Sequence, residues 1–513
     1  MVRLPTLADR AAALFDSVID RLDHDVGKKN LFVALLPVMI LLCFPVAWSP
    51  NEENYFLLAH RRISPEEFSV FHAAFDHSNA RFLIEYILGL LIDFFGYDAA
   101  HSIARITMAI LYSMGLSILF SALGLSVLKA VATIAIFYFG GQQLLGGEWL
   151  FGGVEGKTFA YAAVMGALGV GLRGRWLIAA VLLSVATYFH FLVGGFWIIG
   201  LSLLALLQSK SPVVSFRMLA IYTALVSPLV IVIALEQFSQ LPQMTGLTPD
   251  QIYAMRGSHH IAPFFDKWQL WAWSDGIIAT AVMAIAFLVL IKRTPDSVLP
   301  LFVFLLLVYL LLGIVLSFVD RNTNILGKFY LFRPSSLILL LSIATVFSIA
   351  AKNRIATQLY VLPPALVVLI AIFLWGQVKI KVEDYFENPM LVDFAALVSA
   401  IDRESEPGEI VLVQPKNDMG YPYVGLPRRL PRPTLVSWKF TPSNPRELLR
   451  WHNLIEFRKD LFDHGCKEKL SIPVRLLLVF DDDILDSVKS CGEIVWSGDG
   501  YSLVRVGKEF SGE

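Results

Sequence analysis

The chain has 513 residues, of which 56% are hydrophobic and 17% charged, with a formal net charge of −1. Its mean hydropathy of +0.63 and a charged fraction well under the ~25% of ordinary soluble domains exclude a soluble globular enzyme. The near-neutral balance also excludes a dedicated nucleic-acid binder.

Residues 1–30 place Arg3, Arg10, Arg21, Lys28 and Lys29 beside Leu7, Ala11, Leu14, Val18 and Leu22 at helical spacing. This pattern predicts an amphipathic helix on the cytoplasmic membrane surface. The apolar run 31–48 has no small-residue cleavage site before Ser49-Pro50 and reads as a retained signal anchor. Further apolar runs follow at 104–123, 125–140, 158–172, 176–190, 194–208, 217–236, 270–291, 298–319, 334–351 and 358–376. Residues 31–376 are thus expected to form a polytopic α-helical domain of about eleven transmembrane helices.

Alternating from a cytoplasmic N-terminus, the inside turns hold or adjoin Lys129, Arg173 and Arg175, Lys210 and Arg217, Lys292 and Arg293, and Lys352 and Arg354. Every one is short and basic, as the positive-inside rule requires. An odd number of spans exports residues 377–513, whose composition is that of a soluble domain. Strands are expected at Glu409–Val413, Arg475–Phe480 and Glu493–Trp496 and a helix at Pro445–Phe462, an α/β pattern. Cys466 and Cys491 share this exported domain, and thiols in an oxidising compartment are expected to pair.

The outside segments, by contrast, are long and polar, which points to an active face there. Segment 49–103 opens with Asn51, Glu52 and Glu53 and continues through His72, Asp76, His77, Asn79 and Arg81. Leu83–Phe95 carries Glu85 and Asp93 and fits an interfacial helix better than a span. Glu52 and Asp76 are candidate general bases or cation ligands, whereas Glu53, Glu66 and Glu67 read as solvated charges. Segment 140–157 has seven glycines in eighteen residues and ends with Glu155 and Lys157. These two are substrate-binding candidates, with a local ion pair as the alternative. His190 closes a span among aromatics, where a packing role is the simpler reading.

Segment 237–269 carries Arg256, His259 and His260, a cationic group suited to phosphate. Segment 320–334 carries Arg321, Lys328 and Arg333, the last at a span mouth where a guanidinium usually marks a ligand or counter-ion. Acids for a base and cations for a phosphate leaving group are what sugar transfer from a lipid-linked phosphosugar needs.

This layout resembles the GT-C class of integral-membrane glycosyltransferases: cytoplasmic N-terminus, acidic first exported segment, about eleven spans and an exported α/β tail. Gly152-Gly-Val-Glu-Gly-Lys157, Arg256-Gly-Ser-His-His260 and Gly327-Lys-Phe-Tyr-Leu-Phe-Arg-Pro334 look like elements of a bacterial family of GT-C-like polytopic proteins. The resemblance implies an inverting transferase in the bacterial inner membrane. Its donor would be a polyprenyl-phosphate-linked sugar and its acceptor an envelope glycan or lipid. It implies an acidic base in the first exported segment, which leaves Glu52 and Asp76 both open. The segment has no adjacent Asp-Asp, Asp-Glu or Asp-x-Asp, so a divalent cation is left unassigned. No Trp-Trp-Asp triplet occurs in the tail, which argues against transfer to asparagine in proteins. The competing readings are a transporter or flippase, or an assembly subunit of an envelope polysaccharide system.

Overall fold

The computed structural model describes residues 28–43, 47–68, 72–73, 79–238, 269–323, 325–352, 362–387, 395–415, 423–430, 432–442, 445–466, 470, 472–480, 482–498, 500–508 and 510. Among the described residues the first helix is α1 (Lys28–Cys43), and α2 (Pro50–Ile63), after it, starts sharply for a local reason. Ser49 is its N-cap and Pro50 its first residue. The Ser49 N–H donates to Glu52 Oε2 (2.7 Å) while the Glu52 N–H donates to Ser49 Oγ (3.4 Å). This is a capping box, encoded by Ser-x-x-Glu.

Next comes α3 (Phe82–Leu123), two helices joined where Gly96 adopts φ 75°. The segment expected to lie alone at the interface is therefore the first arm of a long bent helix. Its Glu85 is buried rather than headgroup-facing, paired with Arg62 (2.6 Å) and Arg81 (3.3 Å). Apolar helices follow at α4 (Val127–Phe139), α5 (Gly156–Gly171), α6 (Trp176–Phe189), α7 (Phe191–Ser209), α8 (Pro212–Phe238), α9 (Gln269–Arg293), α10 (Val298–Asp320), α11 (Ser335–Lys352) and α12 (Leu362–Glu387).

A helix thus lies at each of the expected apolar segments, and among the described residues six are long and apolar enough to cross a bilayer. They are Asn79–Leu123, Phe191–Ser209, Pro212–Glu236, Trp273–Arg293, Val298–Asp320 and Ala365–Glu383. At 1.5 Å per residue, the 13 residues of α4 reach about 20 Å, short of a ~30 Å hydrocarbon core.

The chain's buried centre is formed where α3 packs on α1, α2 and α5. Small residues allow the backbones to approach closely. A Cβ on Gly169 of α5 would lie 2.7 Å from the backbone of Ile118 on α3.

The C-terminal domain holds a four-stranded sheet in the order β1-β2-β4-β3. The strands are β1 (Ile410–Val413), β2 (Val474–Val479), β3 (Gly492–Gly498) and β4 (Tyr501–Val506). β1 and β2 run parallel, linked through the helix Pro445–His464, and the remaining pairs are antiparallel. β4, which the sequence pattern did not announce, lies inside the sheet. Cys466 and Cys491 are disulfide-bonded, with Cα atoms 4.8 Å apart.

Substituting Gly169→Ala is expected to cost about 1–3 kcal/mol, because neither helix backbone can retreat without unpacking the centre. Thermal unfolding of the purified protein in detergent checks this; an unchanged midpoint would contradict the close α3–α5 approach.

Candidate active site

Two linked groups of buried charged side chains lie where the first interhelical segment, the glycine-rich loop and the start of α11 meet. The first surrounds Glu52. Its carboxylate accepts from the backbone N–H groups of Ser49 (2.7 Å) and Val154 (2.9 Å), pairs with Arg105, and receives the His101 Nε2 (3.0 Å). Arg105 also donates to the carbonyls of Cys43 and Gly152, each at 2.6 Å. A Cβ at Gly153 would lie 2.4 Å from Ser49 Oγ and 3.3 Å from Glu52 Cγ, so glycine lets the loop close over this carboxylate. Burial alone would raise the Glu52 pKa, but Arg105 and the hydrogen-bonded His101 outweigh it and hold the group down at about 2. A carboxylate so acidic, and so completely supplied with donors, is a poor proton acceptor. Its position is that of a brace joining α1, α2, α3 and the glycine-rich loop.

The second group centres on Lys157. Its ammonium lies 3.0 Å from Glu148 Oε2 and 3.5 Å from Glu155 Oε2, above the Trp149 ring at 4.1 Å. The Asn51 amide donates to the other Glu155 oxygen. Arg333 reaches Glu148 (3.2 Å) and His190 Nε2 (3.0 Å), with Tyr330 4.6 Å below its guanidinium. Arg81 sits 5.1 Å over Tyr55, the residue that extends this group towards Arg62 and Glu85. Glu148, Glu155, Lys157 and Arg333 are all under 10% exposed, and their formal charges cancel.

Local structure explains the delivery of each group. Asp320, at the end of α10, accepts from the Thr323 hydroxyl (2.6 Å) and from the N–H groups of Ile325 (3.0 Å), Leu326 (2.7 Å) and Gly327 (2.8 Å). That winds the following loop into one shape and presents Arg333. The Tyr161 hydroxyl donates to the Arg333 carbonyl (2.6 Å), and Ser335 and Ser336 donate to the carbonyls of Leu145 (2.6 Å) and Glu148 (2.8 Å). On the opposite side Gln142, at φ 62°, bridges the glycine-rich loop by accepting from the Phe151 N–H (2.7 Å) and donating to its carbonyl (3.1 Å).

The structure therefore brings together Glu52, Glu155, Lys157 and Arg333 among the residues expected from sequence. Asp76, Arg256, His259, His260 and the Lys328 side chain lie outside the described residues. Glu53 is not a solvated charge: it is wholly buried and held by Arg428 of the C-terminal domain at 2.5 and 3.0 Å. His72 is half-buried, and burial together with the nearby Arg61 charge pushes its imidazole down to about 4. His190 faces Arg333 rather than merely packing. Arg105 and Glu148 were not anticipated, although an arginine within an apolar run is itself a signal. Among the described residues, no group of three or more His, Cys, Asp or Glu is arranged to hold a metal ion.

A domain of long apolar helices, a buried acid–cation group and a small α/β domain together make a GT-C-like fold. The particular likeness is to ArnT from Cupriavidus metallidurans, a GT-C glycosyltransferase, in its crystal structure bound to undecaprenyl phosphate. The two share 13% identity with a TM-score of 0.51, over 95% of this chain and 99% of that one. The apo form of the same protein aligns over the same shares with a TM-score of 0.40. No protein-family model and no curated protein matches the sequence.

Glu52 gives a pH signature. Its folded pKa of about 2 lies below the ~4.3 of an unfolded glutamate, so its stabilisation is complete above about pH 4.3 and drains away as pH falls towards 2. Glu52→Gln, which leaves Arg105 buried without its counter-charge, is expected to cost about 3–5 kcal/mol at pH 7. The gap between wild-type and variant melting temperatures should narrow as pH is lowered from 6 to 3. A constant gap would contradict an ionised, buried Glu52.

Proposed function

We propose that the protein is an inverting membrane glycosyltransferase that moves a sugar from a polyprenyl-phosphate donor to an envelope glycan or lipid. The observation that carries this reading is the juxtaposition of Lys157 and Arg333 with Glu155 in one buried group, next to a carboxylate already committed to structure. The undecaprenyl phosphate bound by the ArnT structure supports the lipid class of the donor. The short basic turns support an inner-membrane protein with its N-terminus in the cytoplasm and its C-terminal domain on the outer side. That is where a lipid-linked donor replaces soluble nucleotide sugars.

In this reading Glu155, rather than Glu52, is the general base. Lys157 lies 3.5 Å from Glu155 and 3.0 Å from Glu148. A donor phosphate draws Lys157 and Arg333 to itself, which releases the Glu155 carboxylate from its ion pair with Lys157. Glu155, oriented by Asn51, then takes the proton of the acceptor hydroxyl. The acceptor oxygen bonds to the anomeric carbon from the face opposite the phosphate. The bond between that carbon and the phosphate oxygen breaks, and its electron pair leaves with the lipid phosphate. Lys157 and Arg333 stabilise the negative charge that develops there. Arg256, His259, His260 and Lys328 supply further cationic contacts to the donor, and Asp76 is the rival base.

The test compares lipid-linked and envelope glycans of cells lacking the gene, complemented with wild type, Glu155→Gln, Asp76→Asn or Arg333→Ala at equal membrane levels. Deletion should remove one sugar. Glu155→Gln should lower transfer by about 10²–10⁴-fold, and Arg333→Ala should fail to restore it. Full complementation by Glu155→Gln together with failure of Asp76→Asn would move the base to Asp76. Full complementation by all three variants would overturn the reading.

A further inference from the structure

We propose that Arg428, contributed by the C-terminal domain, is a positioning residue for the transfer site, acting through Trp48, His101 and Glu52. The inference rests on the function proposed above but has a readout independent of it. Arg428 grips buried Glu53 with two nitrogens, at 2.5 and 3.0 Å. The fit is close, because a Cβ at neighbouring Gly425 would lie 2.7 Å from Glu53 Oε1. The same guanidinium lies 3.9 Å from the Trp48 ring centre and 5.5 Å from that of Tyr97. A guanidinium held by a carboxylate fork and an aromatic face together is fixed in position as well as in charge.

The contacts continue inward without a gap. Trp48 stacks on His101 with ring centres 4.2 Å apart and planes 12° from parallel. His101 Nε2 lies 3.0 Å from Glu52 Oε1, and that oxygen also accepts the Val154 N–H at 2.9 Å. Val154 directly precedes Glu155. Glu53 and Glu52 are consecutive in the first turn of α2, so Arg428 acts on the brace from two directions: through the helix backbone and through the ring stack. An apolar contact of Leu57, Leu58 and Ala73 with Val424 and Phe440 seats the domain beside this chain of contacts. The C-terminal domain is thereby part of the site's framework, and its arginine sets where the Glu155 loop sits.

The experiment is hydrogen–deuterium exchange on the full-length protein in detergent, comparing wild type with Arg428→Ala and Arg428→Lys. Lysine keeps the charge but cannot form the two-pronged grip. Exchange should accelerate by about tenfold or more in residues 47–56 and also in 150–158 for Arg428→Ala, and less for Arg428→Lys, while α6 and α7 stay at wild-type rates. In a transfer assay Arg428→Ala should lower kcat by about 10–100-fold with KM little changed. Acceleration confined to 423–430 and 47–56, or uniform along the chain in Arg428→Lys, would overturn the proposal. Should Arg428→Ala fail to fold, the same criteria apply to Arg428→Lys. If wild type shows no transfer at all, the proposed function fails, and the exchange pattern still decides whether Arg428 positions the loop.

Discussion

The ionised Glu52 carboxylate, enclosed without access to water, is the constraint on which the rest of this site depends. Burying such a charge is tolerated only when opposite charge and hydrogen-bond donors replace the lost solvent. Here Arg105 supplies the charge, and His101 and two backbone N–H groups complete the shell. These donors come from α3, from the residue before α2 and from the glycine-rich loop. Satisfying one carboxylate therefore fixes three separate pieces of chain against one another.

That arrangement divides the acidic residues by task. Glu52 is spent on structure, and Glu53 on holding the C-terminal domain through Arg428. Glu148 pairs with both Lys157 and Arg333, and Glu155 with Lys157, in a group whose formal charges cancel; in the proposed reading an incoming phosphate competes with these carboxylates for the two cations. Such exchange would couple donor binding to the release of Glu155 from Lys157. The pairs are rigidly delivered: Asp320 winds the loop that carries Arg333, and Gln142 ties the loop that carries Glu148. A preformed group costs little reorganisation when charge develops.

The helical segments were legible because their apolar runs are long and the intervening turns polar. Hydropathy registers apolarity rather than helix length, and several of these helices are short and pack against neighbours. In the C-terminal domain β1 and β2 were apparent from continuous Val and Leu, but β4 was not. Its Tyr-Ser-Leu-Val-Arg-Val run mixes polar and apolar residues, and its central place in the sheet follows from pairing with distant β2. In the site, the proximity of Glu155 and Lys157 could be read from their spacing. The capping box of Ser49 and Glu52 was equally present in the sequence and already assigned Glu52 a structural duty at the start of α2. What no local pattern could disclose is tertiary: Arg105 reaching Glu52 from the middle of α3, Glu148 meeting Arg333, and Arg428 crossing from the C-terminal domain to Glu53.

The most direct measurement of the central claim, that the Lys157–Arg333 group receives a lipid phosphate, is native mass spectrometry of the purified protein with a short polyprenyl monophosphate. The neutral polyprenol of equal chain length serves as the control. A one-to-one complex is expected with the phosphate over the alcohol, lost in a Lys157→Ala/Arg333→Ala double variant that still folds. Equal retention of phosphate and alcohol, or undiminished phosphate binding by the double variant, would contradict it.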